Sequence, residues 1–233
     1  TFFSKSGETV PPLIPIYRSP DSGDIFHYNE SPRIVELWKK SSAVKKISID
    51  DNIINILKSM YDSDPIAFST INFIKGTEQP FHSDYFHFAT VPELYLAGVW
   101  VALEDISLDA GPLSIIPESH KINPIWLEDL GLEIPLNKSV LKANYTIYEN
   151  WIKDVIAKNN FEIFIPKLKV GDALIWHANL LHGAPKIKNN KQTRFSQVTH
   201  YHFKDCQKYF NPLYSMPTKN IYALRDVDAI KIH

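Results

Sequence analysis

Cysteine, net charge and long hydrophobic runs are all scarce in this chain of 233 residues. Its single cysteine, Cys206, excludes an internal disulfide, so a reducing compartment is expected. The formal net charge is −1, without the basic excess of proteins that bind a nucleic-acid backbone. No apolar run approaches the roughly 18 residues of a membrane-spanning helix, and no signal peptide is visible. We therefore expect a cytoplasmic protein that binds neither nucleic acid nor membrane.

Aromatic residues and short apolar segments, by contrast, are plentiful. The chain holds 11 Tyr, 13 Phe and 5 Trp, which suit a β-rich core or an apolar pocket. Alternation, apolar runs and turn residues predict strands at 66–74, 95–103, 113–116, 161–165, 173–177, 180–184 and 193–203. Helical spacing and capping residues predict helices at 31–40, from Asp50 or Asp51 to about Met60, and at 148–158. The pattern predicts a mainly β fold, closed or double-sheeted, with flanking helices.

We expect a single domain over residues 1–233. Its parts would be an N-terminal loop with supporting helices (1–60), a core (61–205) and a mostly irregular C-terminal tail (206–233). Within the first 30 residues, rich in proline, only a short strand at 13–17 is predicted. Residues 121–147 show no clear period and are predicted to form a long inserted loop, which is more often functional than idle. We expect residues 1–30 and this insertion to cover the functional site.

The segment 79–85, Gln-Pro-Phe-His-Ser-Asp-Tyr, carries the first candidate site residues. His82 and Asp84 are two residues apart at the predicted end of a strand, so their side chains should leave the same face. One imidazole and one carboxylate are two of the three ligands that hold non-haem Fe(II) in a 2-His-1-carboxylate triad. A hydrogen-bonded surface pair has the same spacing, so the interpretation depends on a third ligand elsewhere.

His182, on another predicted strand, is the candidate for that third ligand, with a structural histidine as the alternative. Its ring must be neutral to bind a metal, and a partner on the other ring nitrogen usually fixes it. Three such ligands leave about three of six positions on iron, enough for a 2-oxo acid and dioxygen.

Arg194 is one of only 4 arginines against 21 lysines and lies on the inner face of the strand at 193–203. Its planar fork suits a carboxylate, so it would hold the far end of the 2-oxo acid, with Ser196 beside it on the same face. Pairing with a neighbouring acidic side chain is the alternative.

Five ordered elements together resemble the phytanoyl-CoA dioxygenase (PhyH-like) family. They are Phe-His-Ser-Asp at 81–84, the stretches 100–105 and 110–121, the stretch 171–184, and Arg194. The resemblance covers about 65–205 and implies a double-stranded β-helix (jelly-roll, cupin-like) core. It also implies Fe(II) and 2-oxoglutarate as cofactors, with O2 as cosubstrate. The chain departs from the family at Ser83, where many members carry Gln, and at Glu118, where Gly is frequent.

By this resemblance His82, Asp84 and His182 are the metal ligands. Arg194 is the 2-oxoglutarate anchor, Ser196 assists it, and Trp100 borders the cosubstrate pocket. Thr70 and Asn72 share one face of the strand at 66–74 and are further candidates for cosubstrate hydrogen bonds. Four residues are candidates for contact with a small organic substrate: Phe86, Phe88, Trp176 and His200.

The expected reaction is hydroxylation of an unactivated C–H bond, with succinate and carbon dioxide as coproducts and ascorbate as a helpful addition in vitro. Two alternatives remain: a non-catalytic cupin-type barrel that binds a metal or ligand, and a metal-dependent isomerase of the same fold. The sequence leaves the substrate and the oligomeric state open.

Overall fold

A computed structural model of the chain describes residues 2–4, 9–10, 25–28, 31–132, 138–210, 219, 221–224 and 229–231. The strands are β1 (Phe2–Ser4), β2 (Thr9–Val10), β3 (Ile25–Tyr28), β4 (Ser31–Val35), β5 (Pro65–Phe73), β6 (Thr90–Val91), β7 (Leu96–Ala102), β8 (Ser114–Ile115), β9 (Ala173–His177), β10 (His182–Gly183), β11 (Ser196–Phe203), β12 (Gln207–Phe210) and β13 (Ile221–Leu224). The helices are α1 (Ser42–Ser48), α2 (Asp51–Tyr61) and α3 (Lys138–Lys158), with 3-10 turns at Leu37–Lys39, Asp84–Phe86, Ser119–Lys121 and Leu127–Leu130.

The largest sheet has six strands in the order β3-β4-β5-β11-β7-β9. β11 lies in its middle and pairs antiparallel with β5 on one side and β7 on the other. A second sheet has the order β2-β1-β13-β12-β6, and β8 pairs with β10 alone. Antiparallel sheets with few helices confirm the predicted mainly β class.

The two faces of β11 serve different neighbours. Its inner face carries Ser196, Val198 and His200, whose paired residues on β7 are Ala102, Trp100 and Gly98. Its outer face carries Gln197, Thr199 and Tyr201. Val198 packs with Trp100 and Trp176 on the inner face, and Tyr201 packs with α2 on the outer face.

Helix α1 is held to the outer face by a buried polar network. The Gln197 side-chain amide donates to the Val44 carbonyl and to the Ser48 hydroxyl, each at 3.0 Å. The Tyr201 hydroxyl donates to the Ser48 carbonyl at 2.9 Å. Because these buried groups satisfy one another, the network fixes the helix without the desolvation cost of unpaired polar atoms.

The predicted helix at 31–40 is wrong. Residues 31–35 form β4, whose pairing with β5 begins at Arg33, just after Pro32. Glu36 ends the strand with a φ of 52°, and only a 3-10 turn follows. Ser-Pro is a capping signal that is not specific to helices. The β-branched Ile34 and Val35 favour a strand once a neighbouring strand is present. Helix α1 lies just beyond and was not predicted, since seven residues are too few to show a period.

Several other boundaries differ from those predicted. Helix α3 begins ten residues earlier than expected, so it takes up part of the predicted 121–147 insertion. The predicted strand at 161–165 is reduced to a single bridge between Ile115 and Phe164. Strands β1–β3, β12 and β13 lie in terminal regions predicted to be largely irregular. The strand predicted at 13–17 lies outside the described residues. In the part of the chain that is described, no helix has the length and apolarity to cross a membrane.

Helix α2 matches its prediction and allows a test of how it packs. Asp50 caps it by accepting from the Asn52 N–H, and Leu57 is completely buried against the outer face. Leu57→Ala should lower the free energy of unfolding by about 2–5 kcal/mol, because a cavity would remain in the cluster. Ile56, next to it, is 48% exposed, and Ile56→Ala should change the free energy by less than about 0.5 kcal/mol. Chemical denaturation of the two variants gives the comparison, and equal losses would contradict this packing.

Candidate metal centre

A backbone bridge brings the two candidate histidine ligands together. The His82 N–H donates to the His182 carbonyl, and the His182 N–H donates to the His82 carbonyl, both at 3.0 Å. Asp84 follows at the start of a 3-10 turn rather than on the predicted strand. The ligand atoms of His82, Asp84 and His182 nevertheless all lie within 4.8 Å of one another, and all three side chains are buried. The structure therefore assembles the predicted set.

The two imidazoles are oriented in the same way. His82 Nδ1 lies 2.9 Å from the Pro80 carbonyl, and His182 Nδ1 lies 3.0 Å from the Leu180 carbonyl. A carbonyl oxygen only accepts, so each Nδ1 carries a proton, and in the neutral ring the lone pair is left on Nε2. This is the arrangement in which a metal ligand is fixed by a partner on its other nitrogen.

The electrostatics suit metal binding. Burial, with a smaller contribution from His182, lowers the pKa of His82 well below its ordinary value, so this ring is neutral. Burial alone would raise the pKa of Asp84, but the nearby His182 and His200 hold it below its usual range. The site thus offers a carboxylate and neutral imidazole nitrogen, the donors of a 2-His-1-carboxylate centre, and the residues fit an iron ion.

Arg194 is a buried cation on the same face of the sheet. It is 2% exposed, and its Nη1 donates to the Gly111 carbonyl at 2.9 Å. Its guanidinium carbon lies 5.4 Å from the Phe73 ring centre and 5.9 Å from that of Trp100. Burial, followed by repulsion from Arg33, lowers its pKa to about 10, which leaves it charged near neutral pH.

Among the described residues, no carboxylate forms an ion pair with Arg194, and its Nε has no hydrogen-bond partner. The alternative of a neighbouring acid is therefore not supported. A buried charge without a counter-ion is costly, so the position suits an anion supplied from outside the chain. Ser196 lies beside it, fully buried, with its hydroxyl donating to the Arg194 carbonyl at 3.3 Å.

Arg33 and Gln79 also belong to this site, although the sequence did not reveal them. Arg33 Nη2 donates to Gln79 Oε1 at 2.7 Å, and Gln79 Nε2 lies 3.0 Å from His82 Nε2. Arg33 contacts Phe73 as Arg194 does, with 5.8 Å between guanidinium carbon and ring centre. A metal on His82 would replace the Gln79 hydrogen bond. The scarcity of arginine could have pointed to Arg33 as a candidate site residue. It was overlooked because residues 31–40 were assigned to a supporting helix.

The expected cosubstrate contacts of Thr70 and Asn72 are wrong. Thr70 pairs with Thr199 and Asn72 pairs with Gln197, so both lie on the outer face. The Asn72 amide lies 3.4 Å from the side-chain oxygen of Gln197, beneath α1. Alternation correctly separated the two faces of β5 but did not show which face was inside.

The four candidate substrate residues lie in different environments. Phe86 is 1% exposed and packs against Tyr148 of α3, so it belongs to a core cluster, and its substrate contact stays a prediction. Phe88 packs on the ring of His200, with 4.5 Å between centroids. His200 Nε2 lies 3.4 Å from Asp84 Oδ2, and Trp176 Nε1 donates to the same oxygen at 2.6 Å. His200 and Trp176 therefore adjoin the metal ligands.

The family model for phytanoyl-CoA dioxygenase (PhyH) matches residues 18–196, well over half of the chain. Peroxisomal phytanoyl-CoA dioxygenase from Bos taurus is 26% identical over 147 residues, which are 63% of this chain and 40% of the bovine protein. The chain thus spans less than half the length of this curated relative.

Three solved structures illustrate the similarity in fold. The alpha-ketoglutarate-dependent carbocyclase SnoK from nogalamycin biosynthesis is 15% identical, with a TM-score of 0.61 over 81% of this chain and 71% of its own. The epimerase SnoN from the same biosynthesis is 16% identical, with a TM-score of 0.58 over 81% of this chain and 69% of its own. EctD from S. alaskensis is 17% identical, with a TM-score of 0.58 over 88% of this chain and 68% of its own. The likeness confirms the predicted jelly-roll fold.

The triad geometry predicts divalent-metal binding that depends on His182. His182→Ala should reduce the affinity for Co(II) by at least about tenfold, since one of three ligands is lost. Titration followed by the visible absorption of bound Co(II) measures this. The exposed His120, outside the triad, provides the matched control, and His120→Ala should bind as the wild type does. Equal affinities for the two variants would contradict the triad.

Proposed function

The chain belongs to the phytanoyl-CoA dioxygenase (PhyH) family, and from this premise we propose that it is an Fe(II)- and 2-oxoglutarate-dependent dioxygenase. It would hydroxylate an unactivated C–H bond of a small organic substrate and release succinate and carbon dioxide. The observation that carries the proposal is the buried triad of His82, Asp84 and His182 on the same face as a buried arginine that has no counter-ion among the described residues.

The proposed protein ligands of Fe(II) are His82 Nε2, His182 Nε2 and one oxygen of Asp84. Bound Fe(II) would supply dioxygen activation coupled to the oxidative decarboxylation of 2-oxoglutarate. Asp84 has a second consequence, because a carboxylate fills the position that a halide would need. Hydroxylation is therefore proposed rather than halogenation.

The proposed anchor for the far carboxylate of 2-oxoglutarate is Arg194. Its charge is held in a dry environment between Phe73 and Trp100, where pairing with a carboxylate is stronger than in water. Arg33 brings a second positive charge to the same aromatic ring and through Gln79 reaches His82. Two cations on one side of the triad suit a dicarboxylate better than a neutral cosubstrate.

The surroundings of the triad exclude water. Trp176, His200 and Tyr85 are each no more than 3% exposed, and Phe88 covers His200. A dry site strengthens each charge interaction and protects reactive species from side reactions. On this proposal the protein orients the reactants and shields them, and the cofactor carries the oxidative chemistry.

Turnover without substrate tests the proposal. Given Fe(II), ascorbate and oxygen, the wild-type chain should slowly convert 2-oxoglutarate to succinate, and Asp84→Ala should abolish the conversion because the triad loses its carboxylate ligand. Succinate is quantified by mass spectrometry, with His120→Ala as the matched control and circular dichroism to confirm folding. Conversion by Asp84→Ala at the wild-type rate would contradict the triad. No conversion by the wild type would favour a non-catalytic barrel. A reaction that proceeds without oxygen would favour an isomerase.

The anchor has its own test. Arg194→Ala should raise the 2-oxoglutarate concentration for half-maximal conversion by about one to three orders of magnitude, as loss of a charge-assisted bidentate partner predicts. For Arg194→Lys this concentration should lie between those of the wild type and Arg194→Ala, because lysine keeps the charge and loses the planar fork of the guanidinium. Co(II) affinity should stay near the wild-type value in both variants. An unchanged 2-oxoglutarate requirement in Arg194→Ala would assign Arg194 to the structure instead.

A further inference from the structure

Asp84 faces a row of residues that crosses four strands of the large sheet. His200 of β11 pairs with Ser69 of β5 and with Gly98 of β7, and Gly98 pairs with Trp176 of β9. Directly paired residues of an antiparallel sheet share a face, so His200 and Trp176 flank Gly98 on the inner face. Both side chains then reach the carboxylate of Asp84.

The two oxygens of Asp84 have different surroundings. Oδ2 accepts from Trp176 Nε1 at 2.6 Å and lies 3.4 Å from His200 Nε2. Oδ1 lies 3.6 Å from His182 Nε2, on the side of the other ligands. Asp84 is 4% and Trp176 is 3% exposed, so bulk water does not compete for the indole hydrogen bond. One oxygen is therefore tied to the sheet while the other faces the metal centre.

Gly98 provides the space that the indole occupies. A Cβ atom built on Gly98 would lie 2.5 Å from Trp176 Nε1 and would also overlap the neighbouring ring carbons. Real Cβ atoms do not approach so closely, so any side chain at position 98 would push the indole away from Asp84. On its other side the indole lies against His182, with 4.6 Å between ring centroids. The ring is thus confined between the sheet and a candidate ligand.

From this arrangement we propose that Trp176 is a positioning residue for the metal centre, and that Gly98 permits it. The indole N–H holds Oδ2 and presents Oδ1 alone as the ligand atom. The inference rests on the proposed function, because it assigns Trp176 a role toward the metal rather than toward the substrate. A carboxylate fixed in this way uses a single coordination position, whereas a freed carboxylate can rotate and offer both oxygens. Trp176 therefore keeps open the positions that cosubstrate and dioxygen need.

The experiment compares Co(II) binding by folded, metal-free proteins, followed by the visible absorption of the bound ion, which reports its coordination geometry. Trp176→Phe keeps an aromatic ring and removes the N–H. It should weaken Co(II) binding by about 10- to 100-fold, the usual effect of losing a partner of a metal ligand, and should change the absorption spectrum. Trp151→Phe makes the same change at a partly buried residue of α3 that packs with Tyr148 rather than with a triad residue, and should leave both readouts unchanged.

Gly98→Ala tests the same role without altering the indole. It should weaken Co(II) binding and change the spectrum in the same direction, because the added methyl displaces the ring. In the double variant Gly98→Ala/Trp176→Phe the two losses should not add, since both remove one hydrogen bond.

Wild-type affinity and spectrum in both single variants would overturn the inference. So would a lower melting temperature with an unchanged spectrum and unchanged Co(II) affinity of the folded protein, since the indole would then only pack. Failure of the wild-type chain itself to bind Co(II) would instead contradict the proposed function.

Discussion

The candidate centre depends on the pair of backbone hydrogen bonds that joins His82 to His182. The segment before Asp84 has no strand of its own, and this bridge, extended by the Ala184 N–H donating to the Gln79 carbonyl at 2.9 Å, is what ties it to β10. The approach is so close that a Cβ on Gly183 would lie 2.9 Å from the Gln79 carbonyl oxygen. Because the bridge fixes both backbones, it also fixes the distance between two imidazoles that are far apart in the sequence.

Side chains of the central strand β11 alternate between the face that packs against the helices and the face that carries residues of the candidate site. Gln197, Thr199 and Tyr201 face α1 and α2, and their hydrogen bonds and apolar contacts hold those helices. Ser196 and His200 face the opposite way, toward the arginine and the carboxylate. Neighbouring residues of a strand point to opposite sides of the sheet. A substitution on the face that packs against the helices can therefore change that packing and leave the side-chain contacts of the other face in place. The outer face of β11 thus holds the helices, and the inner face carries residues of the candidate site.

The sequence predicted the site better than it predicted the local elements around it. His82, Asp84, His182 and Arg194 were singled out because an iron triad with an anchor for a 2-oxo acid needs those residue types and because their order resembles that of the PhyH-like family, and alternation alone placed Arg194 and Ser196 on one face. Thr70 and Asn72 were assigned to the wrong face because the pairing of β5 with β11 determines which face of β5 is the inner one. That pairing joins segments far apart in the sequence, so local alternation does not reveal it. The helix prediction at 31–40 was wrong for the same reason. Its capping signal is local, whereas the strand at 31–35 forms because it pairs with β3 and β5. Arg33 and Gln79 were missed as a result.

The contact between Gly98 and Trp176 has a consequence for how the sequence can vary over evolutionary time. A side chain gained at position 98 would displace the indole from Asp84, so the two positions are expected to change together in relatives. The order of substitution matters as well, since replacing Trp176 by a smaller residue first would remove the clash that a side chain at position 98 meets. A relative with a side chain at position 98 would then need a different donor for the Asp84 carboxylate, or would tolerate a ligand free to rotate. The pair therefore restricts the mutational paths open to this site.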